Sequence, residues 1–356
     1  MSNTFGNNLR LTTFGSSHSK AIGGLIEGIP KGLHIDLDYI KSDLARRQTA
    51  KSAFFSQRKE ADEVEFLSGI ENGESNGFPI AFQIKNIDYR SGDYDTILAK
   101  FRPSHADYTY FRKYGEIGIE SLSRSSGRET ASWVVAGSIA KQWLLKNGVS
   151  ITSYVSQIGK VCEKKHYKEL DLTKIDTNAI PTPCSDTSER MLSEIESARK
   201  KQDSLGGVAT CIISGMEAGK GNPIFDKLSA RLAQAMMSIP SAKGFDYGLG
   251  FDIAGMRGSE ANDEFCIKNG EIHTVTNNSG GIQGGISNGE DIYFRVAFKP
   301  IPTISKTQQT VTKTGQQTKI SATGRHDCCI LPRVLPVVEA MAAMVIMDIY
   351  LCSISY

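Results

Sequence analysis

The sequence predicts an α+β protein folded as a single large domain, on two observations. Runs with a 3.6-residue apolar period stand beside β-branched and aromatic runs at 207–213 and 292–298. These do not alternate strand by helix as a doubly wound sheet requires, so a layered arrangement is expected. No internal repeat, low-complexity tract or Pro/Ser linker divides residues 1–356.

Taken in order, residues 38–45 read as a short helix closed by Arg46-Arg47. A longer one runs from about Glu129 to Asn147, with Trp133, Ala136, Ala140, Trp143 and Leu144 on one face and Gly148 as its stop. Residues 162–186 are polar and irregular and are expected to form a surface excursion. Ser185 is the expected N-cap of a helix striped by Met191, Leu192, Ile195 and Ala198 and ending at Arg199-Lys200-Lys201. A further helix is expected from Pro223 through Met236, and a last one from Pro336, whose fixed φ suits a first turn. The apolar run 340–347 is broken by Asp348 and is too short to span a bilayer, so it is expected to be core.

The 41 basic and 39 acidic residues leave a formal charge of +2, which gives no bulk attraction to nucleic acid or an anionic membrane. The seven cysteines, 162, 184, 211, 266, 328, 329 and 352, never fall in C-x-x-C, which argues against a disulfide framework or a zinc site. No export signal is read at the N-terminus, so a cytoplasmic location is expected.

Chemistry is concentrated in turn-rich segments that each carry a basic or titratable residue: 15–19, Arg46-Arg47, 101–107, 124–130, 280–285, 299–303 and 324–327. Arg124-Ser125-Ser126-Gly127-Arg128 places hydroxyls and guanidinium groups before a helix N-terminus, which suits phosphate; a solvated cap explains the same residues. Arg46-Arg47 fits either a helix C-terminus or a ligand. His18 and His105 lie in loops where a side chain can pass a proton near neutral pH. The 280–285 glycines allow close approach to a ligand or a tight hairpin. Together the segments suggest a pocket for a polyanion.

In order along the chain, these segments resemble the chorismate synthase family. The resemblance rests on Arg10-Leu11-Thr12-Thr13-Phe14-Gly15 with Ser17-His18, on Arg102-Pro103-Ser104-His105-Ala106-Asp107, and on Arg124-Ser125-Ser126 with Arg128-Glu129-Thr130. It continues through Asp203-Ser204-Leu205-Gly206-Gly207, Gly284-Gly285-Ile286-Ser287-Asn288-Gly289, Lys299-Pro300, Gly324-Arg325-His326-Asp327 and Pro336-Val337-Val338-Glu339-Ala340.

The resemblance implies a β-α-β sandwich, a homotetramer, and a lyase of the shikimate pathway of aromatic amino acid biosynthesis. The implied reaction is the anti-1,4-elimination of phosphate from 5-enolpyruvylshikimate 3-phosphate to give chorismate, using reduced FMN without net redox change. NADPH would serve indirectly, through an external flavin reductase. By the same resemblance His18 protonates the departing phosphate, His105 the reduced flavin, and Asp327 assists proton removal through flavin N5. Arg124, Ser125, Ser126, Pro240, Ser241, Gly284, Lys299, Pro300, Ile301, Pro302, Thr303 and Arg325 match flavin-binding positions. Arg47 matches a nicotinamide-contact position and, with Arg102 and Arg128, is implied to face substrate.

The chain departs from the family pattern at Ser19, at Ser121-Leu122-Ser123 where glycines are usual, at Gly127 in place of alanine, and at Cys328 in place of proline. Two alternatives stand beside the implied function: a degenerate relative with weak activity, and a flavin-dependent oxidoreductase.

Overall fold

The computed structural model describes residues 3–48, 62–86, 99–115, 123–321 and 327–353. Two five-stranded antiparallel sheets enclose a layer of helices, giving the sandwich the resemblance implied. The first sheet has the order Thr4–Phe5, Arg10–Gly15, Ala21–Glu27, Ile80–Lys85 and Val64–Phe66. Leu11, Ile22, Ile26, Ile80, Phe82 and Ile84 alternate onto its helix-facing side, the period of a half-buried strand. The second sheet has the order Ala242–Tyr247, Ile292–Phe298, Gly207–Ser214, Ser150–Ile158 and Val161–Cys162.

The central strands of the second sheet bury residues on both faces. Val155, Cys211, Ile213 and Phe294 face the main core, while Tyr154, Ile212 and Tyr293 form a separate cluster with Tyr167 and Ile175 of the 162–186 segment. That segment therefore carries a small core of its own on the sheet's outer face.

Within the helix layer, Thr130–Lys146 packs along Leu331–Ser353, with Leu37–Gln48 and Leu228–Met237 against the latter. A Cβ built on Gly137 would lie 2.2 Å from Ala340 Cβ, so the absence of a side chain sets how closely the two long helices cross.

The helices differ at four places from those read in the sequence. The third predicted helix begins at Leu228, since Phe225 is fully exposed with φ +53° and Lys227 holds the N-cap position. Ser185 is the first helical residue after an N-cap at Cys184 and bonds the Asn178 side chain. The last helix begins at Leu331, so Pro336 lies inside it and forgoes only the bond to the Pro332 carbonyl. The turn-rich segment read over 101–107 leads directly into a helix that the sequence reading did not place, from Asp107 to Tyr114. The last helix is long and apolar enough to cross a membrane, yet nearly all of it is enclosed between the layers, with Asp348 paired to Arg231 at 2.6 Å.

Four charged side chains pin the helix layer from within. Glu339, 2% exposed, accepts both Arg46 Nη atoms at 2.7 Å, Lys141 Nζ at 2.9 Å and the Ser153 hydroxyl at 2.8 Å. Asp43 accepts Lys141 at 3.0 Å, Arg46 at 3.2 Å and the Ser138 hydroxyl at 2.7 Å. Three helices and the second sheet meet in these bonds. Burial alone would raise Glu339, but the Lys141 and Arg46 charges overcome it and hold the carboxyl at about 2.

Two expectations follow from this packing. Glu339→Gln leaves buried Lys141 and half-buried Arg46 short of a partner and should cost about 3–5 kcal/mol in urea unfolding. Because its folded-state pKa is depressed, the contribution of Glu339 is complete above its ordinary value of 4.5 and is lost as pH falls toward about 2. The difference between wild type and Glu339→Gln should therefore shrink across that window; a difference independent of pH would argue against the ion-pair account. Gly137→Val should lower the urea midpoint by an amount matching about 1–3 kcal/mol or more, since backbone of both helices must move; an unchanged midpoint would show that the crossing tolerates a side chain.

Candidate active site

His18 lies in the turn between strands Arg10–Gly15 and Ala21–Glu27, with its Nδ1 3.0 Å from the Ser17 hydroxyl. The turn is built by Ser19, whose hydroxyl accepts from Ser16 N at 2.8 Å and bonds the Ala21 carbonyl at 2.6 Å. Ser19 has no left-handed φ, so serine meets the backbone demand at this departure from the family pattern. Asn86 clamps the same turn through the Ser16 and Ser19 carbonyls at 2.9 and 2.7 Å.

Asn86 also accepts Arg128 Nε at 2.9 Å, and Arg128 in turn bonds Asp62. Asp62 has a fully buried side chain and binds Arg47 Nη2 at 2.7 Å, so one carboxylate spaces two guanidinium groups. Burial would raise Asp62, but Arg47 and Arg128 outweigh it and keep it below its ordinary value. Burial pushes Arg47 down in spite of Asp62. Arg47 Nη1 reaches the Gly127 carbonyl at 3.3 Å, which ties it to the 124–130 segment. Neither Arg46 nor Arg47 merely complements a helix end: Arg46 belongs to the buried quartet and Arg47 to this cluster.

From Arg47 the network continues to the C-terminal helix. Arg333 Nε donates to the Arg47 carbonyl at 3.1 Å, and its Nη1 bonds Asp327. The backbone beside Asp327 is fixed by Leu205 N donating to the Cys328 carbonyl at 2.8 Å. Cys328 is buried with its thiol 3.2 Å from the Asp203 carbonyl, and this contact occupies the place where the family has proline. Ser204 carries the chain of contacts on to the Ile301 carbonyl at 2.7 Å.

Arg102, the His105 loop and Ser241 gather around Lys299–Thr303. Arg102 lies 3.3 Å from the Thr303 hydroxyl and is gripped by Asp107 at 2.7 Å through both Nε and Nη2. His105 Nδ1 sits 2.7 Å from Asp107 Oδ1, the oxygen that Arg102 Nη2 also reaches, in a close ionic contact without hydrogen-bond alignment. Burial acts to raise Asp107, yet the Arg102 and His105 contacts hold it well below the usual carboxylate range. Lys299 Nζ donates to the Ser104 carbonyl and its backbone N–H to the Ser241 carbonyl. Ser104 and Ser241 have φ of +58° and +71°, conformations that non-glycine residues keep only where their surroundings impose them. Burial and the neighbouring Lys243 lower the Lys299 ammonium.

Other placements differ from the simplest phosphate cradle. Arg124 directs its guanidinium at the Gly15 and Thr13 carbonyls, 3.1 and 2.9 Å away, and at Glu129, 2.7 Å away. Ser126 caps a short 3-10 turn by accepting Arg128 N at 3.2 Å, and Ser125 is exposed beside it. Burial raises Glu129 even with Thr13 and Arg124 against it. A Cβ at Gly127 would meet nothing, so this departure from alanine is sterically neutral. Gly284 and Gly285 form the turn of the Ile282–Gln283 and Ile286–Ser287 hairpin, whose bonds run to the 219–228 segment. Arg325, together with Ser121 and Leu122, lies outside the described residues.

Sequence reasoning missed Asp62, Asn86 and Arg333 and gave Asp107 no role. No spacing rule connects them to the histidines they support. The Arg-x-x-x-x-Asp separation of Arg102 and Asp107, one loop ahead of a helix, is the one local signal present.

The chorismate synthase family model matches residues 9–351. A chorismate synthase from Azobacteroides pseudotrichonymphae genomovar. CFP2 is 51% identical over 350 residues, covering 98% of this chain and 99% of the relative. One from Phocaeicola vulgatus is 51% identical over 351 residues, covering 99% and 98%. A crystal structure of chorismate synthase superposes with a TM-score of 0.80 at 30% identity, over 98% of this chain and 93% of that one. With sandwich, site segments and whole-length relatives in agreement, the chain belongs to the chorismate synthase family, carbon–oxygen lyases of aromatic biosynthesis.

Proposed function

We propose that this chain converts 5-enolpyruvylshikimate 3-phosphate to chorismate and phosphate by anti-1,4-elimination, with reduced FMN beside the substrate and no net redox change. The reading is carried by two side-chain clusters, one joining the His18 turn to Asp327 through Arg128, Arg47 and Arg333 and one joining the His105 loop to the 299–303 segment through Arg102 and Lys299, tied together by the Leu205–Cys328 and Ser204–Ile301 bonds. Three carboxylates, Asp62, Asp107 and Asp327, hold the four arginines and Lys299 donates to the Ser104 carbonyl, so positive charge remains in surplus for a ligand bearing two carboxylates and a phosphate.

The residues fit a flavin phosphate. Lys299 is bracketed by two left-handed serines, with Lys243 near enough to depress it, and an anion there relieves the repulsion between the two ammonium groups. Lys299, Pro300, Ile301, Pro302 and Thr303 would line that end with Pro240 and Ser241, while Ser125, Ser126, Gly284 and Arg325 complete the assignment. Arg124, occupied by the Thr13 and Gly15 carbonyls, shapes the loop from behind.

Reduced FMN, when bound, supplies transient electron donation to the substrate and is not consumed. His18, its Nδ1 fixed by Ser17, delivers a proton from Nε2 to the departing phosphate. His105, braced by Asp107, holds a proton toward the flavin. Asp327 receives the proton that the ring loses, while Arg47, Arg102 and Arg128 orient the anionic groups. We further propose a cytoplasmic homotetramer supplied with reduced flavin by an external NADPH-dependent reductase. Support for assembly is the apolar hairpin that leaves Phe265, Ile267 and Ile272 each 69% exposed.

His18→Ala and His105→Ala should each lower turnover roughly 100-fold or more while the protein stays folded by circular dichroism. Turnover like wild type in either variant would remove that histidine from the chemistry. Under anaerobic conditions with dithionite-reduced FMN, chorismate should accumulate far beyond the flavin present, whereas NADPH with oxidised FMN and this chain alone should give little. One equivalent of reductant consumed per product would favour a flavin oxidoreductase, and absence of product with reduced FMN would favour a degenerate relative.

A further inference from the structure

The geometry points to Arg333 as a positioning residue that aims the Asp327 carboxylate at the substrate and locks it to the Arg47 end of the substrate cluster. The inference rests on the role proposed above for Asp327.

Arg333 is the third residue of the Leu331–Ser353 helix, and its guanidinium makes two different contacts. Nη1 bonds Asp327 Oδ2, and Nε donates to the Arg47 carbonyl at 3.1 Å. Asp327 is nearly buried on its side chain, 9% exposed, against 27% for Arg333. Its backbone is already held where Leu205 pairs with Cys328 and Cys329. What that backbone anchor leaves undetermined is the side-chain rotamer. An aspartate side chain has three staggered χ1 rotamers, and the guanidinium fork, itself fixed at the Arg47 carbonyl, selects the one that meets Nη1. A lysine can supply charge to one of the two contacts but cannot span both in one plane.

A staple between two helix ends would depend only on the Nε contact. A positioning role depends on Asp327 being there to position, and a double-mutant cycle separates the two. Four proteins are compared under anaerobic conditions with reduced FMN and 5-enolpyruvylshikimate 3-phosphate: wild type, Asp327→Asn, Arg333→Gln and the double variant. Arg333→Gln should lower kcat by roughly tenfold or more with KM changed less than about threefold, as expected for a misaimed group. In the double variant Arg333→Gln should cost almost nothing beyond Asp327→Asn. Arg333→Lys should recover part of kcat, and it replaces Arg333→Gln in the cycle if the latter does not fold. Multiplicative losses in the double variant, or a raised KM at unchanged kcat, would overturn the inference while leaving Asp327 in its role. Wild-type turnover by Asp327→Asn would instead overturn the role of Asp327, and this inference with it.

Discussion

The structure depends on placing four charges in an apolar helix layer and satisfying all of them. Asp43, Arg46, Lys141 and Glu339 come from three helices, and Ser153 adds the second sheet. Each ion alone would cost several kcal/mol to bury, so the arrangement is tolerable only when the helices lie where every partner is met. Unlike an apolar contact, such a set does not slide: a shift of one helix by a residue would strand a charge. The quartet thus fixes the relative position of helices that Leu and Val packing alone would leave less closely specified.

That constraint reaches the site by short covalent paths. Arg47 follows Arg46 at the end of the Leu37–Gln48 helix, and Arg333 lies less than two turns before Glu339. The two arginines are then joined directly, Arg333 to the Arg47 carbonyl. Beyond them the same device recurs on a smaller scale: Asp62 spaces Arg47 and Arg128, and Asp107 holds Arg102 and His105. Guanidinium groups held in this way lose little rotamer freedom when a ligand arrives, which is what preorganisation of an anion site requires.

Much of this was legible in the sequence where a local rule governed it. The 207–213 and 292–298 strands follow from their β-branched and aromatic content and the 130–146 helix from its apolar face, and the loops holding His18, His105 and Lys299 stand out by composition. The first sheet was not read. Its strands mix Thr and Gly with apolar residues, as in Thr12-Thr13-Phe14-Gly15 and Gly23-Gly24, and Gly24 is needed because a Cβ there would press on Leu11 and Phe82 at 2.9 Å. The start of the last helix was misplaced because Pro336 satisfies a first-turn rule and an early interior position alike. Asp62, Asn86 and Arg333 escaped notice because their importance lies in contacts across the chain: Arg333 reaches back 286 positions to Arg47.

The central claim is that the charged quartet positions the proposed catalytic cluster as well as stabilising the fold. Single-turnover conversion of 5-enolpyruvylshikimate 3-phosphate by Glu339→Gln, measured with saturating reduced FMN well below the variant's unfolding temperature, tests it most directly. The account predicts a folded protein whose rate is down by roughly 10- to 100-fold, since displacement of Arg47 and Arg333 misaligns groups that never touch residue 339. A folded variant with the wild-type rate would show that the quartet supports stability alone.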